Sequence, residues 1–143
     1  MGTDQRRDPF DRHASQLART LIGYGVAPGT PVVVAVDFAQ SALLARSAVA
    51  QTGAEVVVVD PTLPPWRAAA LIAEAGAEVG ITLARHTRSL PDTLLWVELD
   101  SSDVWRESAR QRPGPLDEQD LIPHHWLPAR AVPIPPDADL RGA

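Results

Sequence analysis

Two aspartates stand where an α/β protein forms its ligand crevice. Asp37 closes the run PVVVAVD (residues 31–37), and Asp60 closes AEVVVVD (residues 54–60). If both runs are strands of an open parallel sheet, the two carboxylates lie beyond its carboxyl edge, where a hydroxyl or an amine is held. Each has a structural reading beside the functional one. Asp60-Pro61 is a strand-terminating turn, because proline cannot donate into a ladder, and Asp37 ends its strand in a similar way. Asp100, at the end of LLWVELD (residues 94–100), reads as the start of a last helix. His124-His125 is the one histidine pair, but adjacent residues alternate faces in an extended segment. No thiolate is there to complete a site, so no metal is expected. His13 falls on the polar side of a helix and His86 in a loop, with no partner identifiable for either. Arg85, Arg88, Arg106, Arg110 and Arg112 make either a local anion patch or a solvated face. No serine has a GxSxG setting, and no catalytic residue is assigned.

Two absences narrow the chemistry further. The 143 residues hold no cysteine, so disulfides, thiol nucleophiles and thiolate metal sites are excluded. They also hold no lysine; all 13 basic residues are arginine. A phosphate-loop lysine, a Schiff base and a lysine that neutralises a forming adenylate therefore have no source here, since arginine stays protonated. GxxxxGK is absent, and with it the backbone cradle that holds phosphates; no cofactor is expected. A net charge of −5 argues against nucleic acid, which needs a basic stripe. No apolar stretch is long enough for a bilayer and no secretory h-region follows the N-terminus. The expectation is a cytoplasmic protein without a membrane segment.

The elements that would position these residues alternate. Ala14, Leu17, Ala18, Leu21 and Ile22 form one helical stripe over residues 11–24, with Asp11 as N-cap and Gly25 as stop. Strands are expected at residues 31–37, 54–60, 78–83 and 94–100. Between them lie helices over residues 39–52 and from Pro64-Pro65 to Ala75, the proline pair being tolerated in a first turn. Ser101 or Ser102 caps a last helix through Arg110. Strand–helix alternation with valine-rich runs implies a parallel sheet between helix layers. The fold class expected is therefore α/β: a three-layer, Rossmann-like or flavodoxin-like parallel sheet of about four strands with flanking helices. From Pro113 the composition shifts to seven prolines within residues 113–136, which excludes regular helix there. The division expected is a disordered N-terminus (1–9), the α/β subdomain (10–112) and a Pro-rich acidic arm or tail (113–143).

Residues 14–61 and their continuation carry a family pattern. ASQLARTLIGYGVAPGTPVVVAV, then SAVAQTGAEVVVVDP, then TLPPWRAAALIAEAGAEVGIT resemble the start of the adenylate-forming (AMP-binding) superfamily, especially adenylation domains of nonribosomal peptide synthetases. Gly53-Ala54, Asp60-Pro61, Pro64 and Arg67 fall where that pattern places them, and Gln51 stands where the family has a lysine. The resemblance covers about residues 10–85. It implies that the family's ATP-phosphate loop would begin just beyond residue 143, so the chain reads as an N-terminal subdomain truncated before that loop. It also implies that the matched positions are turn and packing residues. His124-His125 starts like the HHxxxDG signature of condensation domains, but Ala129 and Arg130 replace its Asp and Gly.

Two functions follow as expectations. One is a non-catalytic interaction, scaffold or accessory module in nonribosomal-peptide-type antibiotic biosynthesis, as a homodimer or bound to a synthetase or ligase partner. The other is half of a split adenylating ligase completed by a partner chain, or a small enzyme recruited to use Asp37 or Asp60 in the crevice. Tryptophan often anchors interfaces. Trp66, Trp105 and Trp126, outside the strands, are the interface candidates, whereas Trp96, within one, is read as core.

Overall fold

Strand β1 (Pro31–Ala35) is buried along Val32–Ala35, and the rest of the fold is arranged on its two flanks. A computed structural model describes residues 9–121. Around β1 it places α1 (Pro9–Gly23), α2 (Ala39–Gln51), β2 (Glu55–Val58), α3 (Pro65–Ala75), β3 (Val79–Thr82), α4 (Ala84–Thr87), β4 (Leu95–Glu98), α5 (Ser102–Ala109) and α6 (Glu118–Leu121). The sheet order is β2-β1-β3-β4, and all pairs are parallel. This is the α/β parallel sheet that the valine runs predict.

Period-two alternation along the strands sorts the core into two layers. Val32 and Val34 of β1, Val79 and Ile81 of β3 and Val97 of β4 face α1, α2 and α5. Val33 and Ala35 face the other way, onto Ala68 and Ile72 of α3 and onto Leu90 and Leu94. The chain moves from β1 outward to β2, then back past β1 to β3. Right-handed crossovers in opposite directions must put their helices on opposite faces, which is why α2 and α3 lie on different sides.

Helix ends differ slightly from the sequence reading. α1 starts at Pro9 and not at Asp11, with proline in the first turn where its missing N–H costs nothing. Asp11 then sits inside the first turn, near the positive end of the helix dipole. After α2, Gly53 adopts φ +80°, and a Cβ there would stand 3.2 Å from Pro28 Cβ. The glycine of the family pattern is thus favoured by its backbone conformation, and a side chain there would also crowd the 27–30 turn. Gln51, at the lysine position of that pattern, accepts a 2.9 Å hydrogen bond from Ser15 Oγ and ties α2 to α1. On the other side of α1, Thr20 Oγ1 meets Ser108 Oγ of α5 at 3.1 Å in the buried layer.

The proline-rich stretch holds one helical turn that its composition argued against: Glu118–Leu121 forms α6. The prolines at 113 and 115 precede it, so they do not interrupt its ladder. Arg19 of α1 holds this segment. Its Nη1 donates to the carbonyls of Arg112 and Gly114 at 2.6 Å each. Its Nη2 donates to Pro115 O at 3.1 Å and to Asp120 Oδ2 at 3.0 Å. Burial pushes the Asp120 carboxyl up, but the Asp117 N–H, Arg19 and Arg112 together bring it below the ordinary value. The arm expected over 113–143 is therefore described only to residue 121, and residues 1–8 of the expected N-terminal segment also lie outside the described residues.

Trp96 is half-buried on the α3 face. It pairs in register with Gly80, and its Nε1 donates to Pro91 O at 2.6 Å. A Cβ on Gly80 would stand 2.4 Å from the indole Cζ3, so the glycine makes room for the ring on the neighbouring strand.

Two outcomes follow from these contacts. Gly80→Ala should displace the indole and lower stability by about 1–3 kcal/mol, read from urea unfolding followed by tryptophan fluorescence; an unchanged midpoint would show that the ring moves aside freely. Arg19→Ala should cost about 1–3 kcal/mol, because it removes the charge-assisted hydrogen bonds to three carbonyls and leaves Asp120 with only Arg112 and the Asp117 N–H, and should speed proteolysis after Gln111. Wild-type protease resistance in that variant would show that other contacts hold the segment.

Candidate functional site

The reversal of strand order between β1 and β3 fixes where a crevice can form: outside the carboxyl ends of those two strands. Asp37 lies two residues past β1, and the turn after β3 leads directly into α4, which carries Arg85 and His86. The topology therefore brings one carboxylate and two cationic or ionisable side chains to the same place, although 48 residues separate Asp37 from Arg85.

They engage each other. Arg85 Nη2 donates to Asp37 Oδ1 at 2.6 Å. His86 Nε2 lies 2.9 Å from the same oxygen, at ion-pair distance but without a well-aligned hydrogen bond. His86 is the more enclosed partner, with 12 % of its side chain exposed against 59 % for Arg85. Contact with His86 lowers the Asp37 carboxyl most; burial opposes it, and Arg85 helps to keep the carboxyl below its ordinary value. Below this cluster, buried Thr82 Oγ1 donates to Ala35 O at 2.7 Å and closes the floor between β3 and β1.

The other strand-end carboxylates are also engaged. Asp60 Oδ1 accepts from Thr62 Oγ1 at 2.6 Å and from Thr62 N at 2.9 Å. These two bonds hold its carboxyl low, although the Asp37 charge nearby opposes them. The arrangement is a local side-chain turn of the kind aspartate favours. Asp100 Oδ1 accepts the Ala84 N–H at 2.9 Å, so it binds the start of α4. It does not start α5, whose cap is Ser101, accepting from Asp103 N at 3.2 Å.

The arginines read as either a local anion patch or a solvated face do not converge on one point. Arg106 pairs with Asp103 at 3.1 Å, Arg110 with Glu107 at 3.4 Å and Arg112 with Asp120 at 3.2 Å. Trp66 projects from the first turn of α3 with 72 % exposure. Trp105 is half-buried on α5. Its indole N–H donates to Leu99 O, and its ring lies 5.8 Å from that of His13 at 53°. Trp126 and the His124-His125 pair lie outside the described residues.

The Asp37–His86 relation was invisible in the sequence, where His86 looked isolated. The signal that would have found it is strand adjacency. Once β3 is placed beside β1, the first turn after β3 must face the residues following β1.

The depressed Asp37 value has a definite sign in stability. In the unfolded chain the carboxyl takes up its proton near 3.8, and in the fold only at lower pH. Between those values the unfolded state binds more protons, so its contribution is fully present above about 3.8 and is lost as pH falls through the folded value. Asp37→Asn should flatten the acid side of a plot of urea midpoint against pH. An acid limb identical to wild type would show that the cluster does not contribute.

The same architecture and sequence pattern recur in known proteins. The family model described as AMP-binding enzyme matches residues 8–138. Phosphinothricin tripeptide synthetase PhsB of Streptomyces viridochromogenes is 42% identical over 79 residues, covering 55% of this chain and 7% of the synthetase. Gramicidin S synthase 2 of Brevibacillus brevis is 27% identical over 108 residues, covering 76% of this chain and 2% of the synthase. The crystal structure of the nonribosomal peptide synthetase FmoA3 superposes with a TM-score of 0.65 at 25% identity, covering 76% of this chain and 11% of that one. The N-terminal domain of FACL13 from Mycobacterium tuberculosis shares the fold, with a TM-score of 0.65 at 18% identity over 75% of this chain and 29% of that domain. The chain thus spans a small part of the length of each relative. With the family model matched across most of its residues, and the parallel sheet of synthetase adenylation structures in place, the chain belongs to the AMP-binding enzyme family.

Proposed function

We propose that these 143 residues act as a non-catalytic interaction and scaffold module in nonribosomal-peptide-type biosynthesis. The module works in the cytoplasm, through contact with a synthetase or ligase chain or with a second copy. The observation that carries this reading is the condition of the strand-end crevice. Asp37, Asp60 and Asp100 each accept from donors of the same chain, and Arg85, the cation nearest the switch point, is paired with Asp37. A triphosphate arriving there would have to compete with a carboxylate for that cation and would meet two further carboxylates. The chain's composition supports the same reading, because a lysine-free sequence without a glycine-rich loop has neither the amine nor the N–H cradle that grips phosphates. Adenylate formation would draw those groups from outside these residues.

The 143-residue chain, purified and mixed with ATP, should give no binding heat at micromolar concentration and no ATP–pyrophosphate exchange with any amino acid. Micromolar affinity for ATP, or exchange by the chain alone, would overturn the proposal. Exchange that arises only on mixing with a second chain would replace it with one half of a split adenylating ligase.

A further inference from the structure

An edge strand presents a row of unpaired backbone groups, and soluble proteins usually blunt it with lysine, proline, a bulge or a covering segment. Among the described residues strand β2 is one edge of this sheet, and its sequence is Glu-Val-Val-Val. Its register shows which groups β1 does not use. Glu55 N donates to Thr30 O at 2.8 Å and Val59 N to Val34 O at 3.0 Å, so the odd-numbered residues of this strand face β1. By the alternation of a parallel ladder, the N–H and C=O groups of Val56 and Val58 point away from the sheet. Val58 is 64 % exposed.

Beside that edge runs a groove between β2 and α3. Val57, Val59 and Leu71 form its apolar part, and Glu55 and Glu74 stand at one end of it. Among the described residues neither glutamate is in an ion pair, and no arginine lines the groove. Both lie on the side where α3 terminates, so the negative end of its dipole adds to their charge.

We infer that the β2 edge receives an extended segment of a partner protein, which adds a fifth strand through the outward groups of Val56 and Val58. Its side chains alternate: on the α3 side they are apolar beside Leu71 and basic beside Glu55 and Glu74. Backbone pairing supplies affinity in such strand addition, and the alternate side chains supply selectivity. Charge complementarity selects this occupant, because a basic side chain opposite Glu55 forms a favourable cross-strand pair whereas an acidic one is repelled. The inference gives the interaction module proposed above a surface, and rests on that reading only for the partner's biological role.

The test uses the full chain and capped ten-residue peptides of alternating valine and threonine, with two same-face arginines at either end; matched peptides carry glutamate at those positions. An arginine peptide should bind, with amide shifts centred on Val56 and Val58 in NMR spectra, and should bind about tenfold tighter than its glutamate counterpart. Val58→Pro removes an N–H that β1 does not use, so the fold should persist by circular dichroism while peptide affinity drops about tenfold or more. Glu55→Gln with Glu74→Gln should keep binding but abolish the preference for arginine. No binding at about 1 mM peptide, binding indifferent to both variants, or shifts centred elsewhere would overturn the inference. Slow hydrogen exchange at Val56 and Val58 in the chain alone would overturn it too, as the edge would already be covered by its own chain or a second copy. Such failures leave the module reading standing, since nucleotide binding or turnover by the chain alone is what would remove that.

Discussion

Strand β1 is flanked on both sides by strands that follow it in the chain. β2 pairs with one side of it and β3 with the other, while its side chains are buried in both layers. Hydrogen bonding to two partners and burial on two faces leave room for little but small and β-branched apolar residues, and PVVVA meets that demand. Everything polar that β1 contributes must therefore come after its last residue, which is where Asp37 stands. The position of the crevice, the pairing with Arg85 and His86, and the opposite placement of α2 and α3 all derive from that central pairing.

Much of this was readable from the residues. The valine runs, the helical stripe of α1 and the Pro64-Pro65 start of α3 give the element order, because burial on two faces and burial on one stripe leave different periodicities. The resemblance to synthetase adenylation domains gives the same order. Two short elements escaped. α4 and α6 have four residues each, too few for a period to show. In both, long-range contacts support the turn: Asp100 bonds the first amide of α4, and Arg19 reaches Asp120 of α6. The partners of the strand-end aspartates escaped for a related reason. Asp60 bonds locally to Thr62, but Asp37 and Asp100 bond across strands, and sequence distance carries no information about which strands are adjacent.

Arg19 shows how a lysine-free chain uses its cations. One guanidinium gathers three backbone carbonyls and a carboxylate, a set that suits a planar fork with several donors better than a compact ammonium. Apart from His86–Asp37, the other ion pairs in the described part also involve arginine, and those along α5 and its C-cap join exposed side chains three residues apart, which contribute little. The basic side chains with long-range partners in the fold are the enclosed Arg19 and, on Asp37, Arg85 and His86.

The two faces of the sheet are covered unequally. Among the described residues three helices, α1, α2 and α5, lie on one side; on the other, α3 is joined by the segment around Leu90 and Leu94, with Trp96 laid over Gly80. A layer held by fewer apolar contacts opens at lower free energy than one held by many. The β3–β4 half of the thinly clad side is therefore the natural fault line of the domain, where partial opening begins while the three-helix layer stays shut.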